Sequence, residues 1–182
     1  MSYQCQTRMH LETIMSAAKN SHFRYQIFFL ILLVTLINYI DRGALSYAGE
    51  FIIGEYGFDK QDWGKILGYF GYGYMFGALF GGALGDRLGA RKVWMIAGIA
   101  WSLFEIGTAF AGNIGLAFFG GSALAGFGFM RILFGFSEGP VYSIINKSMG
   151  NWAASKERGF VVSIGLSSTQ IGALLSAPIA VG

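Results

Sequence analysis

Five stretches of this chain contain no aspartate, glutamate, lysine or arginine: residues 25–40, 66–85, 93–104, 106–130 and 159–182. An apolar segment needs about 20 residues to cross a hydrocarbon layer about 30 Å thick, and with flanking residues each stretch reaches or approaches that length. Within lipid, an open segment satisfies its backbone hydrogen bonds only as a helix. The expected fold is therefore an all-α membrane protein with transmembrane helices near 23–47, 62–85, 92–112, 116–145 and 159–181, after a polar tail over residues 1–22. The fourth stretch has room for one tilted helix, or for a helix preceded by an interfacial piece around Gly120 to Gly126.

Composition agrees with this class and removes others. Charged residues make up 13% of the chain, against about 25% in a soluble domain. Glycine is abundant, at 28 of 182 residues, but there is no triplet repeat, which excludes collagen. A single cysteine, Cys5, excludes an internal disulfide and a CxxC metal or redox site. The net charge of +3 is small and scattered, so nucleic acid is not an expected partner; membrane lipid is. No cofactor and no metal are expected.

Orientation follows from the basic residues, which collect on cytoplasmic loops. Arg8, Lys19 and Arg24 precede the first span, Arg87, Arg91 and Lys92 follow the second, and Lys147, Lys156 and Arg158 follow the fourth. The opposite loops carry only Lys60 and Lys65, among Glu50, Glu55, Asp59 and Asp62. The reading is a multi-pass protein of the cytoplasmic membrane with its N-terminus inside. The tail lacks the apolar core of a signal peptide. Met15 would itself serve as a start, so residues 1–14 are read either as an extension or as a tail.

Five ionisable residues fall inside spans: Asp41, Arg42, Glu105, Arg131 and Glu138. Each costs about 2.5–3.5 kcal/mol near the bilayer centre on insertion scales, so such groups face partners or water. Asp41 and Arg42 follow a 16-residue apolar run; a helix ending at Ile40 remains the plain alternative. Arg131 and Glu138 are seven positions apart, with Gly135 between them, which puts them on one helix face; a salt bridge serving packing alone remains open. Glu105 is alone in its helix, and an interfacial position is the favoured reading for it.

The second span carries Gly73, Gly77, Gly81, Gly85 and Gly89, every fourth residue. Small residues at this spacing let another helix approach closely, whether for static packing or for a sliding interface. Pro140, after Gly139, lacks an amide hydrogen, and a bend just past Glu138 is expected.

The run Gly82-Ala-Leu-Gly-Asp86-Arg87-Leu-Gly89-Ala-Arg91-Lys92 resembles the loop signature between the second and third helices of the major facilitator superfamily. Asp86 at the helix end is placed to pair with Arg87 or Arg91, and Ala90 stands where many members carry arginine. Asn38-Tyr39-Ile40-Asp41-Arg42 and Arg131-x-x-x-Gly135-x-x-Glu138-Gly139-Pro140 are similar to the anion:cation symporter family, which includes bacterial permeases for galactonate, glucarate and hexuronates. Trp152 with Lys156-Glu157-Arg158-Gly159 resembles a further loop of that family, with Ala153 and Ala154 in place of Phe-Pro.

The resemblance implies roles. The arginine at the Arg42 position holds the substrate carboxylate, Tyr74 and Gln170 help hold the substrate, and Asp41 and Glu138 take part in proton coupling with Arg131. General chemistry allows this division, because guanidinium stays charged and offers a fork to a carboxylate, whereas a buried acid titrates with its surroundings. Asn38, one turn before Arg42, is a candidate for binding a substrate hydroxyl. The implied activity is proton-coupled symport of an organic anion, a sugar acid such as a hexonate, hexarate or hexuronate, and not an enzymatic one. A membrane enzyme using Asp41 and Glu138 would have no membrane histidine, since His10 and His22 precede the first span. Major facilitator transporters resemble two six-helix halves around a central site. Five spans therefore read as a truncated N-terminal half over residues 23–182, inactive without the missing C-terminal half; a non-functional product is the alternative.

Overall fold

The computed structural model describes residues 23–153 and 156–181; the tail over residues 1–22, with the alternative start at Met15, lies outside them, as does Ala154. Among the described residues the chain is all helical, with α1 (Phe23–Tyr56), α2 (Lys60–Leu88), α3 (Ala90–Thr108), α4 (Ala111–Phe118), α5 (Ala123–Trp152) and α6 (Arg158–Val181).

Local chemistry sets the boundaries. Asp59 opens α2 by accepting the Asp62 backbone N–H at 2.6 Å, a side-chain N-cap. Gly89 closes α2 and opens α3 in a single residue at φ 82°, a left-handed backbone that favours glycine. A bend of 77° separates α3 from α4. Gly120 and Gly121, at φ 63° and 83°, then turn the chain into α5, where Ser122 Oγ accepts the Ala125 N–H at 3.3 Å. Where the sequence reading ran one stretch over 116–145 with an interfacial piece at 120–126, the separate piece is Ala111–Phe118 and the break falls just after it. The paired glycines and Ser122 carry turn chemistry that ends a helix. Helix α1 continues to Tyr56, so Asp41 and Arg42 lie mid-helix and the alternative of a helix ending at Ile40 is removed.

The chain divides into two compact units. One takes α1 up to Gly43 together with Ser148–Ile179, and the other takes Ala44–Lys147. In the first, α6 lies against α1: a Cβ on Gly172 would meet the Leu36 carbonyl and Tyr39, and one on Gly43 would meet Ser176. In the second, Ile66, Ala111 and Phe127 form a core, with Tyr56 stacked on Phe58 at 5.7 Å and edge-on to Phe127 at 5.5 Å.

The glycine ladder belongs to this second unit. A Cβ at Gly73 would strike the Ile132 carbonyl, one at Gly77 the Phe136 carbonyl, and one at Gly81 the backbone and ring of Pro140. From the α5 side, Gly135 and Gly139 meet the α2 backbone from Phe70 to Ala78. The stripe is thus filled by α5 within the same unit, a close contact of two backbones. Pro140 remains inside a continuous α5. Its missing amide leaves the Phe136 carbonyl without its usual intrahelical donor, and that carbonyl is the one seated on Gly77.

Many large apolar side chains are exposed: Phe51 and Phe118 in one unit are each 81% exposed, and Leu174 in the other is 75% exposed. Exposed apolar side chains in such number suit hydrocarbon better than water. By length and composition, α1 over Tyr25–Tyr56 and α6 over Arg158–Pro178 are each able to cross a membrane among the described residues, and α3 with α4 make a third candidate if the bent pair is one span. The α2 and α5 stretches are charge-poor but fall short of that test. Glycine dilutes the hydropathy of α2, and Arg131 and Glu138 interrupt α5.

Candidate functional site

Buried polar side chains divide by how they meet their hydrogen-bonding needs. Thr35, Ser137, Ser168, Thr169 and Ser176 are all buried, and each hydroxyl donates to a carbonyl three or four residues earlier in its own helix, at 2.6–2.7 Å. This local solution costs the helix little, and it marks these residues as packing. Asn38 and Arg131 have no such solution. Asn38 is fully buried with neither Oδ1 nor Nδ2 hydrogen bonded among the described residues, and Arg131 is 3% exposed with Nε and Nη2 in the same condition. Burying such groups without partners costs on the order of 1–3 kcal/mol or more each, and functional sites accept that cost.

In the α1/α6 unit, Asp41 and Arg42 are half-buried. The Arg42 guanidinium lies 5.2 Å from the centre of the Tyr39 ring, close enough for the ring face to hold its direction. Gln170 is exposed on α6, two residues before Gly172, where that helix meets α1. This unit therefore brings Asn38, Asp41, Arg42 and Gln170 onto two packed helices.

The other unit brings together Tyr74, Arg131 and Glu138. Glu138 is fully buried. Next to it, Gly139 packs on the Tyr74 carbonyl, and the Tyr74 ring is stacked on Phe70 at 5.8 Å and edge-on to Tyr142 at 6.5 Å. Arg131 stands 5.0 Å over the Phe134 ring. The glycine contact between α2 and α5 is what draws Tyr74 to the level of Glu138.

One sequence expectation is corrected in this unit. Asp86 pairs with Lys147 of α5 at 2.6 Å, and not with Arg87 or Arg91. The same Lys147 Nζ donates to the Gly85 carbonyl at 3.0 Å, so one cation covers both the carboxylate and an orphan carbonyl at the C-terminal end of α2. Glu105 of α3 is half-buried, with Oε2 closed to solvent. Of the loop signature, Gly82 faces open space and Gly89 makes the turn; Arg87, Arg91 and Lys92 are exposed.

Residues 31–182 match the Major Facilitator Superfamily. The chain belongs to that superfamily. Within it, the chain is 36% identical to a hexuronate transporter of Bacillus subtilis (strain 168) over 154 residues, covering 82% of this chain and 33% of that one. It is 34% identical to a probable galactarate/D-glucarate transporter of Escherichia coli (strain K12) over 171 residues, covering 94% of this chain and 38% of the relative. A probable galactarate/D-glucarate transporter of Pseudomonas putida matches at 33% over 82% of this chain and 32% of its own. The chain spans about a third of the length of the relatives it matches. This major facilitator chain is thus similar to transporters named for hexuronate and for galactarate/D-glucarate.

Proposed function

We propose that these residues form part of a proton-coupled symporter that carries an organic anion, a sugar acid of the hexonate, hexarate or hexuronate kind, across the cytoplasmic membrane. The reading has five spans, with α2 and α5 crossing as a glycine-packed pair, and an N-terminus and Asp86–Lys92 loop on the cytoplasmic side. The observation that carries it is the burial of Arg131 and Glu138 on one face of α5, inside a chain similar to hexuronate and galactarate/D-glucarate transporters. Ionisable groups at such cost in an apolar bundle mark an ion or substrate path. In this reading Arg42 holds the carboxylate of the anion as a bidentate fork, Asn38, Tyr74 and Gln170 meet its hydroxyls, and Asp41 and Glu138 exchange the proton against Arg131.

The substrate cavity of this reading is completed by sequence outside residues 1–182, since the relatives are about two and a half times as long. The 182-residue chain alone in proteoliposomes is then expected to insert without saturable uptake. A chimaera in which this chain replaces the matched segment of the Bacillus subtilis hexuronate transporter should take up labelled hexuronate, faster under an inward proton gradient, and lose uptake with Arg42→Ala. Wild-type affinity in Arg42→Ala would refute the carboxylate assignment. Saturable uptake by the chain alone would refute the incompleteness.

A further inference from the structure

Between α1 and α6, inside one compact unit, lies a cavity of about 230 Å³ that none of the site residues lines. Phe28, Ile31 and Leu32 of α1 form one wall, and Val161, Ile164 and Gly165 of α6 form the other. Met149, buried near the end of α5, closes it, and a Cβ on Gly165 would meet the Met149 methyl at 3.2 Å. Glu157 is the one charged residue on the wall, and it immediately precedes the first residue of α6, so it marks the end of the cavity at the loop. From Arg158 to Gly165 the helix rises about 10 Å, and the cavity reaches that far between the two helices.

An apolar cavity of about 150 Å³ stays dry and accepts benzene. This larger one therefore suits a segment of hydrocarbon and not water. Left empty, it would deprive every lining atom of dispersion contacts on one side. Tyr25 and Phe160 line it and are 53% and 69% exposed, so they form its mouth. Exposed apolar side chains continue outward from them, Phe29 and Leu30 on α1 and Leu166 on α6, and both helices are long and apolar enough to cross a membrane. The mouth thus opens on the surface that acyl chains cover. At the loop end Lys156 and Arg158 flank Glu157, and both are exposed, a net positive setting that favours an anionic headgroup.

We propose that this cavity is a phospholipid site. An acyl chain of an anionic phospholipid enters past Tyr25 and Phe160 and fills the space between α1 and α6, and the headgroup meets Lys156 and Arg158. Farther along, the same two helices touch directly at Gly172 and Gly43, so the lipid occupies the part of the pair where they stand apart. The inference needs the membrane setting and is independent of what is transported.

The test is native mass spectrometry of the 182-residue chain, reconstituted in vesicles of equal phosphatidylglycerol and phosphatidylcholine and released in mild detergent, with circular dichroism reporting the fold. The wild type is expected to retain phosphatidylglycerol. Val161→Phe puts a ring into the cavity and should lose the lipid while keeping its helix content; Ile164→Phe, on the same wall, serves if Val161→Phe does not fold. Leu166→Phe changes the exposed face of the same helix and should keep the lipid. Lys156→Gln should retain either lipid without preferring phosphatidylglycerol. Undiminished retention in a folded cavity-filling variant, or equal loss in Leu166→Phe, marks the lipid as part of the general annulus and overturns the site. A preference unchanged in Lys156→Gln overturns the headgroup assignment. Lipid retained by the chain but absent from the hexuronate chimaera would show that protein outside residues 1–182 covers the cavity, and that also overturns the proposal.

Discussion

Replacing Gly77 by alanine tests whether the α2–α5 contact is a close approach of two backbones. The added methyl would collide with the Phe136 carbonyl, a backbone group that cannot rotate away, so α5 must shift. Overpacking of this kind costs about 1–3 kcal/mol. Any glycine-to-alanine change inside a helix also gains about 1 kcal/mol in helix propensity, and a control removes that gain from the comparison. Gly82 lies in the same helix, yet a Cβ there meets nothing within 4 Å. The difference between Gly77→Ala and Gly82→Ala is then the steric term alone, about 2 kcal/mol, or roughly 30-fold in the unfolding equilibrium. Gly85 sharpens the test, because it shares the ladder spacing while its Cβ would find only the Ile144 side chain at 3.7 Å. Gly85→Ala should behave like Gly82→Ala. The assay is reversible unfolding of the purified chain in mixed micelles, followed by helical circular dichroism. Equal stability of Gly77→Ala and Gly82→Ala would refute the close approach, and a Gly85→Ala as damaging as Gly77→Ala would show that spacing, not the neighbour, sets the cost.

Lys147→Met should cost less than about 1 kcal/mol and its effect should shrink in high salt, since Asp86 and Lys147 side chains are 76% and 37% exposed; unfolding at two salt concentrations checks this. In the hexuronate chimaera, Asp41→Asn and Glu138→Gln should reduce gradient-driven accumulation more than counterflow exchange, because each removes a titratable group and keeps its shape. Arg42→Lys should raise the concentration needed for half-maximal uptake, a point charge replacing a fork. Ala90→Cys should label from the cytoplasmic side and Lys60→Cys from the other; labelling of Ala90→Cys from outside intact cells would refute the orientation.

Much of the architecture was legible because lipid makes charge expensive. The 16 uncharged residues before Asp41 mark α1, and the spacing of Arg131 and Glu138 marks one face of α5. What periodicity cannot supply is the neighbour. The ladder announces a flat face on α2, but only the structure names Ile132, Phe136 and Pro140 as what fills it. Asp86 has arginines close by in sequence and takes Lys147, 61 residues away. Glu105 has no ionisable residue within two turns on its own helix, so sequence periodicity offers it no role; a solitary acid between residues 93 and 130 was nevertheless a signal, because its insertion cost requires a partner. Gly120-Gly121-Ser122 held the break between α4 and α5 in plain turn chemistry, which a count of uncharged residues passes over.

The pairing of α2 with α5 also orders events during synthesis. Ser143 donates to the Ala78 carbonyl across 65 residues of chain, so α2 leaves the ribosome well before the helix that covers its glycines exists. At about 5–20 residues per second that interval lasts roughly 3–13 s. Throughout it the glycine face of α2 stands without the helix whose backbone fills it in the finished fold.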